Sequence, residues 1–500
     1  MINENIRRFM EFYKYEGLTY DDVSLVVKYS DILPEQTDVS GKFSRNINLY
    51  VPFVSAAMDT VTEANMAIAM ATFGGIGVIH KNLSIDRQAE EVKKVKHYLN
   101  GLIKDPVVFH PEQTVYEMLE IKEKKNYSFT GFPIVDANRI LKGIVTARDI
   151  KFLSDNNIKL SQIMTTNLIT APENTTLVEA FKIMVKNKVG KLPIVDKDGK
   201  LKGLYSFHDV KTLIENIEPY YNRDKEHRLR VAAAISPYDE ERAEELYRAK
   251  VDALVIDTAH GHTKGVIETV KMLKEKYSDS LDVVAGNIAT EEAAKDLMNA
   301  GVDAVKVGIG PGSICTTRVV AGVGTPQLTA IYNVAKATEN RVPIIADGGI
   351  KQSGDVGKAI AAGASSVMMG SIFAGTQESP GEKIIHQGRT YVVYRGMGSL
   401  EAMKNSKASR ERYGQRDVSD DKQIVPQGIE GLVIFRGSVA DIIYQFVGGL
   451  KYTLGYCGAR NLNELRQNAE FLKVSPAGLR EAHPHDIKII KDAPNYFTED

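Results

Sequence analysis

Val231 to His260, VAAAISPYDEERAEELYRAKVDALVIDTAH, is a short apolar run, a charged segment of helical length from Tyr238 to Lys250, and a second apolar run, Ala253-Leu-Val-Ile-Asp257, ending on aspartate. Short apolar runs that alternate with helix-length segments read as βαβ units, and those imply a parallel sheet. The alternation continues outward in both directions. Downstream lie Val283-Val-Ala-Gly286, Ala304-Val-Lys-Val307, Ile344-Ile-Ala-Asp347 and Ser366-Val-Met-Met-Gly370; upstream lie Val51 to Met58 and Gly75 to His80. Between the upstream pair runs an Ala/Met-rich helix, for which Asp59 or Thr60 is the expected cap. Eight strand–helix units are the count of a (β/α)8 TIM barrel. An open doubly wound sheet is the alternative, but no G-x-G-x-x-G follows any strand. Gly308-Ile-Gly-Pro-Gly-Ser313 misses the third glycine, so a dinucleotide is not held in the Rossmann manner.

The alternation breaks at about Gly101. There Phe132-Pro-Ile-Val-Asp136 with Gly143 to Asp149 recurs as Leu192-Pro-Ile-Val-Asp196 with Gly203 to Asp209, offset by 60 residues in every matched pair. Pro111-Glu-Gln-Thr114 is echoed by Pro172-Glu-Asn-Thr175, each opening a helical stretch. Copies this short are expected to pack on each other to complete one core. Residues 101–215 are therefore read as one inserted α+β domain, with 1–100 and 216–500 forming the barrel. At 500 residues the chain is long enough for both.

Composition narrows the partners. The 63 basic and 64 acidic side chains nearly cancel, leaving no general basic surface for nucleic acid. Two cysteines, Cys315 and Cys457, exclude a disulfide framework and fit a reducing, cytoplasmic setting. Neither has a His or second Cys at zinc-ligand spacing. The apolar runs Met66 to Ile79 and Ala359 to Gly375 are too short and too rich in small or polar residues for membrane spans, and no signal-type segment opens the chain.

In a barrel the reacting groups follow the C-terminal ends of the strands. Those positions here carry Met58 and Asp59, Asp257 with His260 and His262, Asn287, the loop GIGPGSICTTRVVAGVGT at Gly308 to Thr325, Asp347-Gly348-Gly349, and Gly370-Ser371. Glycine amides and a serine hydroxyl after the seventh and eighth strands suit a phosphate, or else only tight turns. Asp347 beside an anion suits sugar hydroxyls, so a phosphorylated ribose fits both. Cys315 sits between glycine clusters, either as a nucleophile toward an electron-poor carbon or as a buried thiol. Asp257 is open to two readings, a carboxylate at the reacting pair or a helix cap. A polar stretch from Asn405 to Gln423, holding Arg412-Tyr413, is expected as a lid or as disordered chain.

Taken together, Ser55 to Glu63, Asp257 to Gly261, GIGPGSICTTR, Ala346-Asp-Gly-Gly-Ile350, Met368-Met-Gly-Ser371, Tyr394-Arg-Gly-Met-Gly-Ser399, Gly448-Gly-Leu450 and Tyr456-Cys-Gly458 resemble the inosine-5′-monophosphate (IMP) dehydrogenase family. The 101–215 repeat resembles the tandem CBS pair which that family inserts in its barrel. The resemblance implies NAD-dependent oxidation of IMP to xanthosine monophosphate through a covalent Cys315 adduct. A mobile flap near 400–430 then brings Arg412 as base for hydrolysis, with Tyr413 and Thr317. It further implies IMP contacts from Met58, Ser313, Asp347, Gly348, Gly349, Gly370, Ser371, Tyr394, Gly396, Met397, Gly398 and Gln427, and NAD contacts from Asp257, Gly308 and Gly310. A potassium ion is implied at Gly310, Gly312 and Cys315, completed by Glu481, Ala482 and His483 of a neighbouring subunit. A homotetramer, or an octamer, and adenine or guanine nucleotides at the CBS pair complete the expectations. Gln427 stands where many bacterial members carry glutamate. The competing readings are GMP reductase, which resembles the chain at the cysteine loop but lacks the Arg-Tyr lid, and a nucleotide-sensing CBS protein on an inactive barrel.

Overall fold

The computed structural model describes residues 3–98, 101–125, 127, 130–215, 220–415, 417–418, 420–490 and 493–496; residues 100 and 216, the expected domain limits, lie outside them. The chain divides into two compact units, one of Met1–Lys96, Tyr220–Asp224 and Leu229–Asp500, the other of His97–Pro219 and Lys225–Arg228.

The larger unit is a closed parallel barrel of eight strands. They are β1 (Phe53–Ser55), β2 (Ile76–Ile79), β3 (Ala232–Ile235), β4 (Ala253–Asp257), β5 (Asp282–Ile288), β6 (Ala304–Val307), β7 (Ile344–Asp347) and β8 (Ser366–Met369). Each pairs with its neighbours in sequence, and β8 closes on β1 through Val367, Met368 and Met369 against Phe53, Val54 and Ser55. Side chains alternate along each strand. Val54, Val78, Ala234, Val255, Val284, Ile345 and Met368 share the inner core, while Phe53, Ile79, Ile235, Ile256, Val305 and Val367 pack in the layer with the helices. Both faces are buried, which is why these strands read as unbroken apolar runs.

Phe43, Ile47 and Leu49, from the small hairpin Gly41–Lys42 and Asn48–Leu49, join the inner core. Asn46 of that hairpin donates from its backbone and side chain to Asp282 at the start of β5. The N-terminal end of the barrel is thereby plugged, and the opposite rim is left for chemistry.

Two local expectations are corrected. The helix after β1, Ala64–Thr72, is preceded by Glu63 as N-cap with no side-chain cap bond. Asp59 is engaged instead by Arg395 at 2.9 Å, and Thr60 Oγ1 accepts the backbone N–H of Arg395. The stretch after Glu378, where the strand–helix alternation of the sequence ends and irregular chain is expected, is also more regular than that. It forms a three-stranded antiparallel sheet of Lys383–His386, Arg389–Arg395 and Glu430–Ile434, followed by the helix Val439–Tyr456.

In the smaller unit the repeat is visible as two hairpins. Gly131–Val135 pairs with Leu141–Thr146, and Lys191–Val195 with Leu201–Ser206, each with a register irregularity at the same place. The copies do not share one core as expected. Phe109, Val115, Met118, Phe132 and Ile134 form one apolar cluster, and Ala180, Met184, Leu192, Ile194 and Val210 another. Each hairpin has a capped helix of its own to cover it, Val115–Lys124 and Leu177–Asn187. The second helix is capped by Thr176, not Thr175, whose hydroxyl donates to Pro172 O.

Candidate active site

The C-terminal rim of the barrel encloses one cleft, and the loop after β6 is its centre. Gly308 leaves β6 with φ +148°, and a Cβ there would lie 2.2 Å from Asp347 O, so only glycine passes. Arg318 then braces the loop from within, its guanidinium donating to Ile309 O at 2.9 Å and to Thr325 O. Cys315 is half-buried, with Thr317 Oγ1 3.1 Å from its Sγ and Gln427 O at 3.8 Å. The cysteine strand is held on its other side by backbone bonds: Thr316 N–H to Gln427 O at 3.1 Å and Ile429 N–H to Ile314 O at 3.1 Å. Gln427 N–H in turn reaches Gly398 O at 2.9 Å, so residues 314–316, 396–398 and 427–429 form one small ladder.

Across the cleft, Gly348 and Gly349 turn with φ +95° and +82°. Gly370 and Ser371 follow β8, and a Cβ on Gly370 would meet the Tyr394 hydroxyl at 2.6 Å. That hydroxyl bonds Ser313, and burial pushes its pKa well above the usual tyrosine value. It is therefore a neutral donor at physiological pH.

One buried cation organises the carboxylates. Lys306 Nζ lies 3.0 Å from Asp257 Oδ1 and 2.7 Å from Asp347 Oδ2, and it also bonds Asn287 Oδ1. Asn287 Nδ2 donates to Asp347 Oδ2 at 2.9 Å. Burying two carboxylates together is costly unless a cation is shared between them. Lys306 was not singled out from the sequence. Its pairing becomes a requirement only once the closed barrel buries both faces of the strand.

Asp257 is not a helix cap; Thr263 caps the helix Lys264–Tyr277. Its second oxygen pairs with Arg412, which ends the short helix Lys407–Arg412. The stretch expected as a lid is ordered here into the helices Leu400–Asn405 and Lys407–Arg412, with a turn of 3₁₀ helix at Asp421–Gln423. Arg412 is docked in the cleft and not a solvated surface residue, with Ala259 N–H donating to its carbonyl at 3.4 Å. Tyr413 lies against Gly398, where a Cβ would be 2.5 Å from the ring. Burial raises the Tyr413 pKa above the ordinary value.

Met58, Asp257, Gly308, Gly310, Gly312, Ser313, Cys315, Thr317, Asp347, Gly348, Gly349, Gly370, Ser371, Tyr394, Gly396, Met397, Gly398, Arg412, Tyr413 and Gln427 all line this cleft. Glu481, Ala482 and His483 do not; they end the exposed helix Pro476–Ala482, and His483 Nδ1 meets the Tyr496 hydroxyl. Among the described residues no group of three His, Cys, Asp or Glu could hold a metal. His262 pairs with Asp296 at 2.8 Å, a structural contact beside the rim. No helix among the described residues is long and apolar enough to cross a membrane.

A parallel barrel that gathers a thiol after β6 and donor-rich turns after β7 and β8 into one rim cleft has the architecture of a barrel enzyme for a small substrate. Residues 17–485 match the domain family described as IMP dehydrogenase / GMP reductase. An inosine-5′-monophosphate dehydrogenase of Staphylococcus aureus is 54% identical over 487 residues, covering 96% of this chain and 98% of that one. One of Aquifex aeolicus is 53% identical over 490 residues, covering 97% and 98%. Among solved structures, a cysteine-to-alanine variant of GMP reductase from Trypanosoma brucei, in complex with guanosine 5′-monophosphate, superposes with TM-score 0.86 at 37% identity, covering 94% of this chain and 98% of that one. The chain belongs to the IMP dehydrogenase / GMP reductase family.

Proposed function

We propose that the chain is the dehydrogenase of this family, an oxidoreductase that converts IMP and NAD+ with water into xanthosine monophosphate, NADH and a proton, and so serves guanine nucleotide synthesis. The observation that carries this reading is the docking of Arg412 and Tyr413 in the cleft of Cys315, because a hydrolytic half-reaction needs a group to handle water after the redox half.

Ser313, Gly349, Gly370, Ser371 and the Tyr394 hydroxyl bind the phosphate. Asp347 takes the ribose hydroxyls: its Oδ2 is used by Lys306 and Asn287, while among the described residues its Oδ1 has no partner within the chain. Met58, Gly348, Gly396, Met397, Gly398 and Gln427 surround the base. The Cys315 thiolate adds to C2 of the purine, forming a C–S bond. NAD+, when bound, accepts the hydride that leaves C2. Water then attacks C2, the C–S bond breaks, and Cys315 is regenerated.

Asp257 fits a dinucleotide's hydroxyls alternately with Arg412, since departure of the flap frees an acceptor oxygen while Lys306 still holds the other. Gly308 and Gly310 flank that side. Arg412 takes the proton of the attacking water, with Thr317 and Tyr413 positioning it. Before that step the guanidinium gives a proton to solvent, which is the proton released in the overall reaction, and the proton it then takes from water restores it. The carbonyls of Gly310, Gly312 and Cys315 are oxygen donors of the kind potassium takes. One chain supplies an incomplete set, and residues 481–483 of a neighbouring copy in a homotetramer or octamer would finish it. The 101–215 unit is a CBS pair that takes adenine or guanine nucleotides, the assembly residing in the cytoplasm.

The test is spectroscopic. Protein with IMP and NAD+ in potassium buffer forms NADH, absorbing at long wavelength, and stops forming it when IMP is omitted. Consumption of NADPH with GMP, without the forward reaction, would assign the reductase instead. Absence of both reactions alongside nucleotide binding by the 101–215 unit would assign the sensor.

A further inference from the structure

The side chain of Asn82, three residues past the end of β2, stands where three separate parts of the rim meet. Its Nδ2 donates to Asp59 Oδ2 at 3.1 Å and to Ser409 Oγ at 2.9 Å, and its Oδ1 accepts from Ser406 Oγ at 2.8 Å. Met397 Sδ is 3.7 Å from the same nitrogen. Ser406 caps the helix Lys407–Arg412 through a bond from Ser409 N–H. Asn82 therefore grips the first turn of the helix whose last residue is Arg412. Ser409, fully buried, has its only side-chain partner among the described residues in Asn82.

The grip is itself oriented. His80 Nδ1 accepts the backbone N–H of Asn82 at 3.1 Å, which places the ring proton on Nε2 facing Glu63 Oε1 at 3.4 Å. Asp59 is held by Arg395, the residue just before Gly396 and Met397. The barrel face of the contact is thus tied by its own hydrogen bonds and ion pair, and the flap face is a six-residue helix. At the far end of the same helix, Ala259 N–H donates to the Arg412 carbonyl and Arg412 pairs with Asp257.

We propose that Asn82 is the positioning residue that latches the flap, seating Arg412 for the hydrolytic half-reaction while leaving the redox half untouched. The asymmetry follows from placement. Asn82 does not line the cleft, so it contacts neither substrate; it acts only through the flap helix. This rests on the dehydrogenase reading for its kinetic consequence, but the latch itself is a property of the unliganded chain. Both seryl hydroxyls at the start of the flap helix, Ser406 and Ser409, face this one asparagine.

The experiment is Asn82→Ala, read in two ways. In stopped flow with IMP and NAD+, the first turnover of NADH keeps its rate and amplitude within about twofold, the steady-state rate falls about tenfold, and mass spectrometry of quenched enzyme shows more of the Cys315 adduct. In the unliganded protein, amides of residues 407–412 exchange faster, and Ser409→Ala added to Asn82→Ala brings no further change in either readout. Ser409→Ala alone, altered from the flap side, gives the same pattern and serves if Asn82→Ala does not fold. An unchanged steady-state rate, an equally slowed first turnover, or additive losses in the double variant would overturn the latch. If wild type forms no NADH, the dehydrogenase reading fails by itself, and unchanged exchange of 407–412 then decides against the latch independently.

Discussion

The two sides of the cleft are built differently. On the side of β6, β7 and β8, the working groups are set by backbone: glycine turns at Gly348 and Gly349, and a ladder joining 314–316, 396–398 and 427–429. On the side of β1, β2 and β4, the flap is held chiefly by side chains, Asn82 on Ser406 and Ser409, and Asp257 on Arg412. A backbone ladder forms and breaks as a unit, whereas single side-chain bonds contribute about 1 kcal/mol each. On the proposed reading, one side would hold the substrate through both steps while the other leaves and returns.

The largest way to break this contrast is Cys315→Ala. Both the first turnover and the steady state should vanish, below detection by absorbance, while calorimetric IMP binding persists, because the binding side does not depend on the thiol. Arg412→Ala should separate the sides. The first turnover of NADH survives and the steady state falls about 10²–10³-fold, as loss of a general base does. Retention of full steady-state turnover would remove Arg412 from the mechanism. Gly398→Ala sits on the boundary, its new methyl 2.5 Å from the Tyr413 ring. We expect about a tenfold loss of steady-state rate from a displaced flap, with IMP affinity changed by less; a larger loss of affinity would place Gly398 on the binding side.

The smallest effect lies behind the latch. The bond from His80 holds the Glu63 carboxyl below its ordinary pKa. A depressed carboxylate adds stability above the unfolded value near 4.5 and loses it as pH falls through the folded value. Glu63→Gln should therefore lower the midpoint of thermal unfolding by about 1–2 °C at pH 7 and by less at about pH 4. An equal loss at both values would mean that the contact is packing and not charge.

Much of this site was legible in order along the chain. Gly308 to Thr317, Asp347-Gly-Gly and Gly370-Ser each follow an apolar run, and a strand end in a barrel is where chemistry falls. Lys306 and Asn82 were not legible, for related reasons. Lys306 stands in Ala304-Val-Lys-Val307, where a lone charge reads as a solvent-facing position until the barrel closes around it. The value of Asn82 depends on Ser406 and Ser409, more than 320 residues away. The cap expected at Asp59 or Thr60 failed the same way, because Arg395 arrives from a distant strand and claims both.

By itself the sequence determined the eight-unit alternation, the sixty-residue repeat and the loop with Cys315, since these rest on local period, spacing and glycine conformation. Only the tertiary structure decided which charges share a partner and where the flap rests. A buried ion pair has no local signature; its energy exists only when strands and loops far apart in the chain exclude water around it.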